Sequence, residues 1–211
     1  MPKLITMQSL EGSESDTMKT QGGFTLTELL VVIAIGAILA AVAVPNLSGL
    51  VADNRLTAAT NDLIAQLSLA RSEAIKRNES VVLCRSTNST SEAPTCDGDT
   101  AQTWEDGWIV FVNMDGNTPP TYDPVNTDIL LRVQEPMTGV MQLRSGVVND
   151  THFEYAPDGT SNMVGISNFA VCDDRGTAEG RQIQLGILGR PELLKDSSGT
   201  PTNPTSCTNP D

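Results

Sequence analysis

The stretch Phe24–Val44 holds 21 residues and one charge, Glu28, which precedes sixteen uncharged residues from Leu29 to Val44. As a helix rising about 1.5 Å per residue it is about 31 Å long, close to the roughly 30 Å hydrocarbon core of a bilayer. The helical pattern continues beyond it. Leu56, Ala59, Leu63, Leu67, Ala70 and Ala74 recur at spacings of three and four, with Asp53, Arg55, Asp62, Arg71 and Glu73 between them, which is the signature of an amphipathic helix. Lys76 and Arg77 suit a helix C-terminus, where the dipole favours cations. The two halves read as one helix from Phe24 to Arg77, kinked at Pro45 and about 80 Å long. One small domain cannot bury such a helix, so its first half must seek lipid or other subunits.

Ala41-Val42-Ala43 forms an A-x-A site after an apolar run, as in a cleaved signal peptide. Glu28 opposes that reading, because a carboxylate is misplaced in the apolar core of a signal peptide. The continuing helix opposes it too. Gly23-Phe24-Thr25-Leu26-Thr27-Glu28, followed by the apolar run and Pro45, resembles the processing and assembly signature of type IV pilins and pseudopilins. The resemblance implies cleavage between Gly23 and Phe24 by a prepilin peptidase on the cytoplasmic side, then N-methylation of Phe24. It also implies that the apolar helix survives as anchor and polymerisation segment. In that family the glutamate pairs with the N-terminal amine of a neighbouring subunit. The physics agrees: a lone carboxylate deep in a bilayer costs about 2.5–3.5 kcal/mol on insertion scales, and cleavage creates a cationic amine four residues away. A helix-terminal glutamate favoured by the macrodipole is the plainer alternative. The leader, residues 1–23, carries Glu11, Glu14 and Asp16; a start at Met18 leaves a short basic leader, the form expected on the cytoplasmic side.

Beyond Asn78 short β-type runs alternate with turn residues. They are Ser80–Arg85, Trp108–Asn113, Ile129–Val133, Val140–Leu143, Thr151–Tyr155, Asn168–Asp173 and Arg181–Leu188. The expected class is α+β, a long helix packed on an antiparallel sheet or sandwich. The expected organisation is leader 1–23, transmembrane half 24–45, amphipathic half 46–78, β-rich domain 79–195 and a polar, Pro-rich tail 196–211. Four cysteines, Cys84, Cys96, Cys172 and Cys207, show no CxxC spacing, and His152 is the single histidine, so no zinc set forms. Behind an export-like segment they indicate two disulfides and an oxidising compartment. Three pairings exist; Cys84–Cys96 is the natural local one, leaving Cys172–Cys207 to pin the tail.

The later motifs narrow the resemblance. Asn54-Arg55-Leu56, Leu69-Ala70-Arg71-Ser72-Glu73-Ala74, Gly107-Trp108-Ile109-Val110-Phe111, Ala156-Pro157-Asp158-Gly159 and Gly189-Arg190 resemble the H-type pseudopilin group, which includes the minor pilins FimT and FimU. Some members bind DNA through Gly-Arg-x-Arg. Here Gly189-Arg190-Pro191-Glu192 places an acid at the last position, and a net charge of −13 repels a phosphate backbone, so nucleic-acid binding is not expected. Asn113, Asp115 and Asn117, with Asp123 and Asp128 downstream, put oxygen donors in one loop as Ca²⁺ favours. Thr118 stands where a glycine is expected, and Asn and Asp are ordinary turn residues, so this is a weak calcium candidate. One histidine and no nucleophile–base pair give no basis for catalysis; no enzyme activity and no cofactor are expected. Trp108–Phe111 reads as core, and Trp104, beside acids, as partly exposed.

The resemblance therefore implies a minor pilin: a single-pass inner-membrane protein with its C-terminal domain in the periplasm. It enters a type IV pilus at or near the tip, with other pilins, the prepilin peptidase and the inner-membrane assembly platform as partners. The alternative is the H-type pseudopilin of type II secretion. A soluble periplasmic binding domain behind a conventional signal peptide is the reading from a different class.

Overall fold

The computed structural model describes residues 23–98, 103–139, 141–146, 151–163 and 165–208. The chain forms two compact units, Met1–Asn46 and Leu47–Asp211. The leader before Gly23, including Met18, lies outside the described residues.

Helix α1 runs Leu26–Arg77. It starts where Thr25 Oγ1 accepts the Glu28 backbone N–H at 3.2 Å, a threonine cap with glutamate at the third position of the first turn. It ends where Asn78 takes φ 56°, a left-handed residue that asparagine tolerates, and where Glu73 draws Lys76 and Arg77 into the last turn. Pro45 lies within α1; the side chains of residues 44–46 lie outside the described residues. In the first unit the helix presents bare aliphatic side chains. Its most apolar 18-residue window has a mean hydropathy of 2.6 and none of that window is buried, so one described helix is long and apolar enough to cross a membrane.

In the second unit the helix is amphipathic as its spacing predicts. Leu56, Leu63, Leu67, Ala70 and Ala74 are fully buried, and Ala59 packs partly against them. Two four-stranded antiparallel sheets complete the unit. The strands are β1 Ser80–Arg85, β2 Trp108–Asn113, β3 Ile129–Gln134, β4 Gln142–Ser145, β5 His152–Tyr155, β6 Ile166–Cys172, β7 Arg181–Gly186 and β8 Pro191–Leu193. One sheet has the order β3-β2-β1-β5, the other β4-β6-β7-β8. Because side chains alternate across a strand, β1 sends Val81 and Leu83 into the main core with the helix, and Val82 and Cys84 to the opposite face. There they meet Ile109 and Phe111 of β2, covered by Cys96, Tyr122 and Leu130. Strands buried on both faces read as unbroken apolar runs, as β1 and β2 do.

Trp104 corrects an expectation. It is fully buried, not exposed beside its acidic neighbours. A short 3₁₀ turn, Trp104–Asp106, points the indole inward against Phe153 of one sheet and Phe169 of the other, with ring centroids at 5.2 and 5.9 Å. Its Nε1 donates to Ser145 Oγ at 3.3 Å. The adjacent Glu105 turns the other way, onto Arg144. Strand β4 extends to Ser145, two residues past the expected Leu143, and Val140 of the expected run lies outside the described residues.

Candidate functional site

Two places bring together residues that the sequence singles out. The first is the N-terminus of the described chain. Gly23, Phe24 and Thr25 precede the helix, and Phe24 is 87% exposed. Glu28 lies in the first helical turn, exposed, with the aliphatic side chains of Leu29, Leu30 and Val31 following it. The cap from Thr25 fixes the backbone of Glu28 and leaves its carboxylate at the foot of an apolar helix, next to the helix N-terminus whose partial positive charge favours an anion.

The second place lies in the β-rich unit, where three motifs far apart in sequence meet. Arg71 Nε donates to the Gly159 carbonyl oxygen at 2.9 Å. A Cβ on Gly159, whose φ is +81°, would lie 2.7 Å from Ile75 Cδ1; one on Gly189, at φ +71°, would lie 2.4 Å from the Gly159 oxygen and 2.8 Å from the Tyr155 ring. Both positions thus require glycine for space as well as for the left-handed backbone. Ser161 ties the same turns together by donating through its N–H to the Ile187 oxygen and through its hydroxyl to the Gly186 oxygen, both at 3.0 Å. Tyr155 is buried beneath, and burial raises its pKa well above the usual range, only partly offset by Arg71. The helix motif around Arg71, the Ala156–Gly159 turn and Gly189-Arg190 are therefore one locus. Their contact was not legible from spacing; the available signal was glycine at the end of two separate turns.

The cysteines form two disulfides, Cys84–Cys96 and Cys172–Cys207, with no free thiol among the described residues. The first closes a loop that Asp97 also fastens, accepting from Thr87 N–H at 2.8 Å. The second holds the tail to β6, where Asn203 Nδ2 donates to the Ala178 oxygen at 2.7 Å. The tail is not a bare loop: Thr202 N–H donates to the Leu194 oxygen at 2.8 Å, and a bridge joins Lys195 to Pro201.

At the calcium candidate the carboxylates accept from backbone N–H groups of their own loop. Asp115 accepts from the Asn117 N–H, Asp123 from the Val125 N–H, and Asp128 from both Met114 and Asp123 N–H groups. These carboxylates close turns, and Asn113 is buried at the end of β2. Among the described residues no group of three or more His, Cys, Asp or Glu is placed to hold a metal.

The family described as Type II transport protein GspH matches residues 59–189, well over half of the chain. The chain belongs to the GspH family. The prokaryotic N-terminal methylation motif matches residues 18–44. The two family matches together cover the apolar half of the helix and the chain from residue 59 to β7, and they place the chain in the minor pilin and pseudopilin class. Two curated Pseudomonas aeruginosa relatives, each called a fimbrial protein, are 41% identical over 64 residues, which is 30% of this chain and 42% of theirs. The match thus spans less than half the length of those relatives. Two crystal forms of the Pseudomonas aeruginosa type IV minor pilin FimU share the fold. They align with TM-scores of 0.51 and 0.50 at 23% and 22% identity, covering 73% and 72% of this chain and 96% and 99% of theirs.

Proposed function

We propose that this GspH-family protein is a minor pilin, cut between Gly23 and Phe24 by a prepilin peptidase, methylated on Phe24, and incorporated at or near the tip of a type IV pilus. The observation that carries the reading is one helix with the methylation motif at its head, a membrane-length apolar segment behind it and a GspH-family domain after that. Before assembly the first half of the helix sits in the inner membrane, with its amphipathic half and the β-rich domain in the periplasm. Two disulfides suit that oxidising side. The role is assembly with other pilins through the assembly platform, not catalysis. Glu28 supplies the register: its carboxylate is costly in lipid and is compensated when the amine of Phe24 on a neighbouring subunit comes beside it. The GspH match also favours a second reading, the H-type pseudopilin of type II secretion, with the same processing and a different filament.

The test is Glu28→Leu in cells, scored by shearing filaments from the surface. The variant is expected to be processed normally and to fall at least about tenfold in the sheared fraction, as loss of a desolvated charge pair implies. Unchanged incorporation contradicts the role of Glu28. A deletion that abolishes twitching while sparing exoprotein release selects the pilus over the secretion reading.

A further inference from the structure

The locus where Gly159 and Gly189 meet underlies two adjoining grooves. Ser68, Arg71, Ser72 and Ile75 of the helix line one of them together with Arg190. Ile166, Ile187 and Leu188 line the other, and the two share Arg190 and Glu192. Ile187 and Leu188 lie in the turn after β7, and Leu188 is 70% exposed. Three large aliphatic side chains at one sheet end thus stand in solvent beside Arg190, which the adjoining groove shares with Arg71.

The chain has 26 acidic residues and 13 basic ones. Lys76, Arg77, Arg85, Arg144 and Arg175 each have a carboxylate within ion-pair distance. Arg71 and Arg190 have none among the described residues, nor do Arg55, Arg132, Arg181 and Lys195, and what sets the first two apart is that they line one groove, with Glu192 beside them. Arg71 spends its Nε on the Gly159 oxygen, which orients the guanidinium and leaves its two terminal nitrogens for an incoming carboxylate, the geometry arginine recognises best. The floor is tied together by the hydrogen bonds from Arg71 to the Gly159 oxygen and from Ser161 to the Gly186 and Ile187 oxygens.

We infer that these grooves form one docking site for an extended, acidic segment of a neighbouring subunit, its aliphatic side chain on the Ile166–Leu188 shelf and its carboxylate between Arg71 and Arg190. This rests on the filament reading for the source of the segment. Two cations against a strongly acidic surface match a single carboxylate, whereas a phosphate backbone needs a row of them.

The test is fluorescence anisotropy with the full chain in detergent. The probes are a dye-labelled octapeptide of alternating leucine and glutamate, its glutamine counterpart and a labelled oligothymidylate. The glutamate peptide is expected to bind at least about tenfold more tightly than the glutamine peptide, the scale of a charge-assisted hydrogen bond. Arg190→Gln and Leu188→Asn should each weaken it about tenfold; both side chains are exposed, so neither change enters the core. Equal binding of both peptides, no binding of the glutamate peptide, or preference for oligothymidylate overturns the inference. The measurement needs no filament. Its failure with Phe24 processed normally removes the groove and leaves the assembly reading standing, and an unprocessed Phe24 with intact peptide binding does the reverse.

Discussion

His152, the single histidine, sits in β5 opposite Cys84, with Nδ1 within 3.2 Å of Thr151 Oγ1. Burial pushes its pKa down, and Glu154 offsets this only in part. Above about pH 6.5 the ring is neutral in both the folded and the unfolded chain. As pH falls below that, the unfolded chain takes up the proton first, so stability declines until the folded pKa is reached. Thermal midpoints measured from pH 7 to 5 should therefore fall, and His152→Asn should flatten the slope; an unchanged slope in the variant refutes the assignment. Asp173 adds a separate acid limit. Arg175 hydrogen-bonds its carboxylate and holds its pKa below the usual range, so its contribution is present above about pH 4 and is lost only below it. Residue by residue, legibility tracked how local the cause was. The place of Glu28 at the helix N-terminus could be seen in sequence because the apolar run follows it directly. Trp104 misled because its acidic neighbours suggested solvent, while the cause of its burial, Phe153 and Phe169, lies 49 and 65 residues away.

Among the elements, strands β1 and β2 were legible to the residue and the amphipathic half of α1 to within one, because an apolar run or a strong period marks them. Strand β8 was missed. It is three residues long and opens with Pro191, a residue that lacks a ladder donor and is tolerated only at strand starts and edges. Strand β7 stops at Gly186, short of the expected Leu188, because Gly189 must take a left-handed turn against Gly159. The disulfides act on different elements. Cys84–Cys96 closes a 12-residue separation beside β1, and Cys172–Cys207 closes one of 35 that ties the tail to β6. In the chain-entropy model these contribute about 3 and about 4 kcal/mol. Replacing Cys172 and Cys207 by serine should lower the urea midpoint more than replacing Cys84 and Cys96, and the reverse order contradicts that account.

At the scale of the whole molecule, each unit has its own solvent. The β-rich unit buries leucines and alanines of the helix against two sheets around Trp104, Phe153 and Phe169. The first unit carries Leu29, Ile33, Ile35 and Leu39 bare on a helix of membrane length, a surface that water penalises at roughly 25 cal/mol per Å². The architecture and the N-terminal motif were readable from sequence because hydropathy and short spacings carry them. The groove at Arg71 and Arg190 was not, because the helix and two separate turns must fold together before it exists. The account stands or falls on what happens before Phe24, since only a cut there keeps the apolar helix and exposes an amine for Glu28. Mass spectrometry of the mature N-terminus, on protein taken from the membrane, tests this most directly. The account predicts N-methylated Phe24 as the first residue; a chain beginning at Val44, after the Ala41-Val42-Ala43 site, contradicts it.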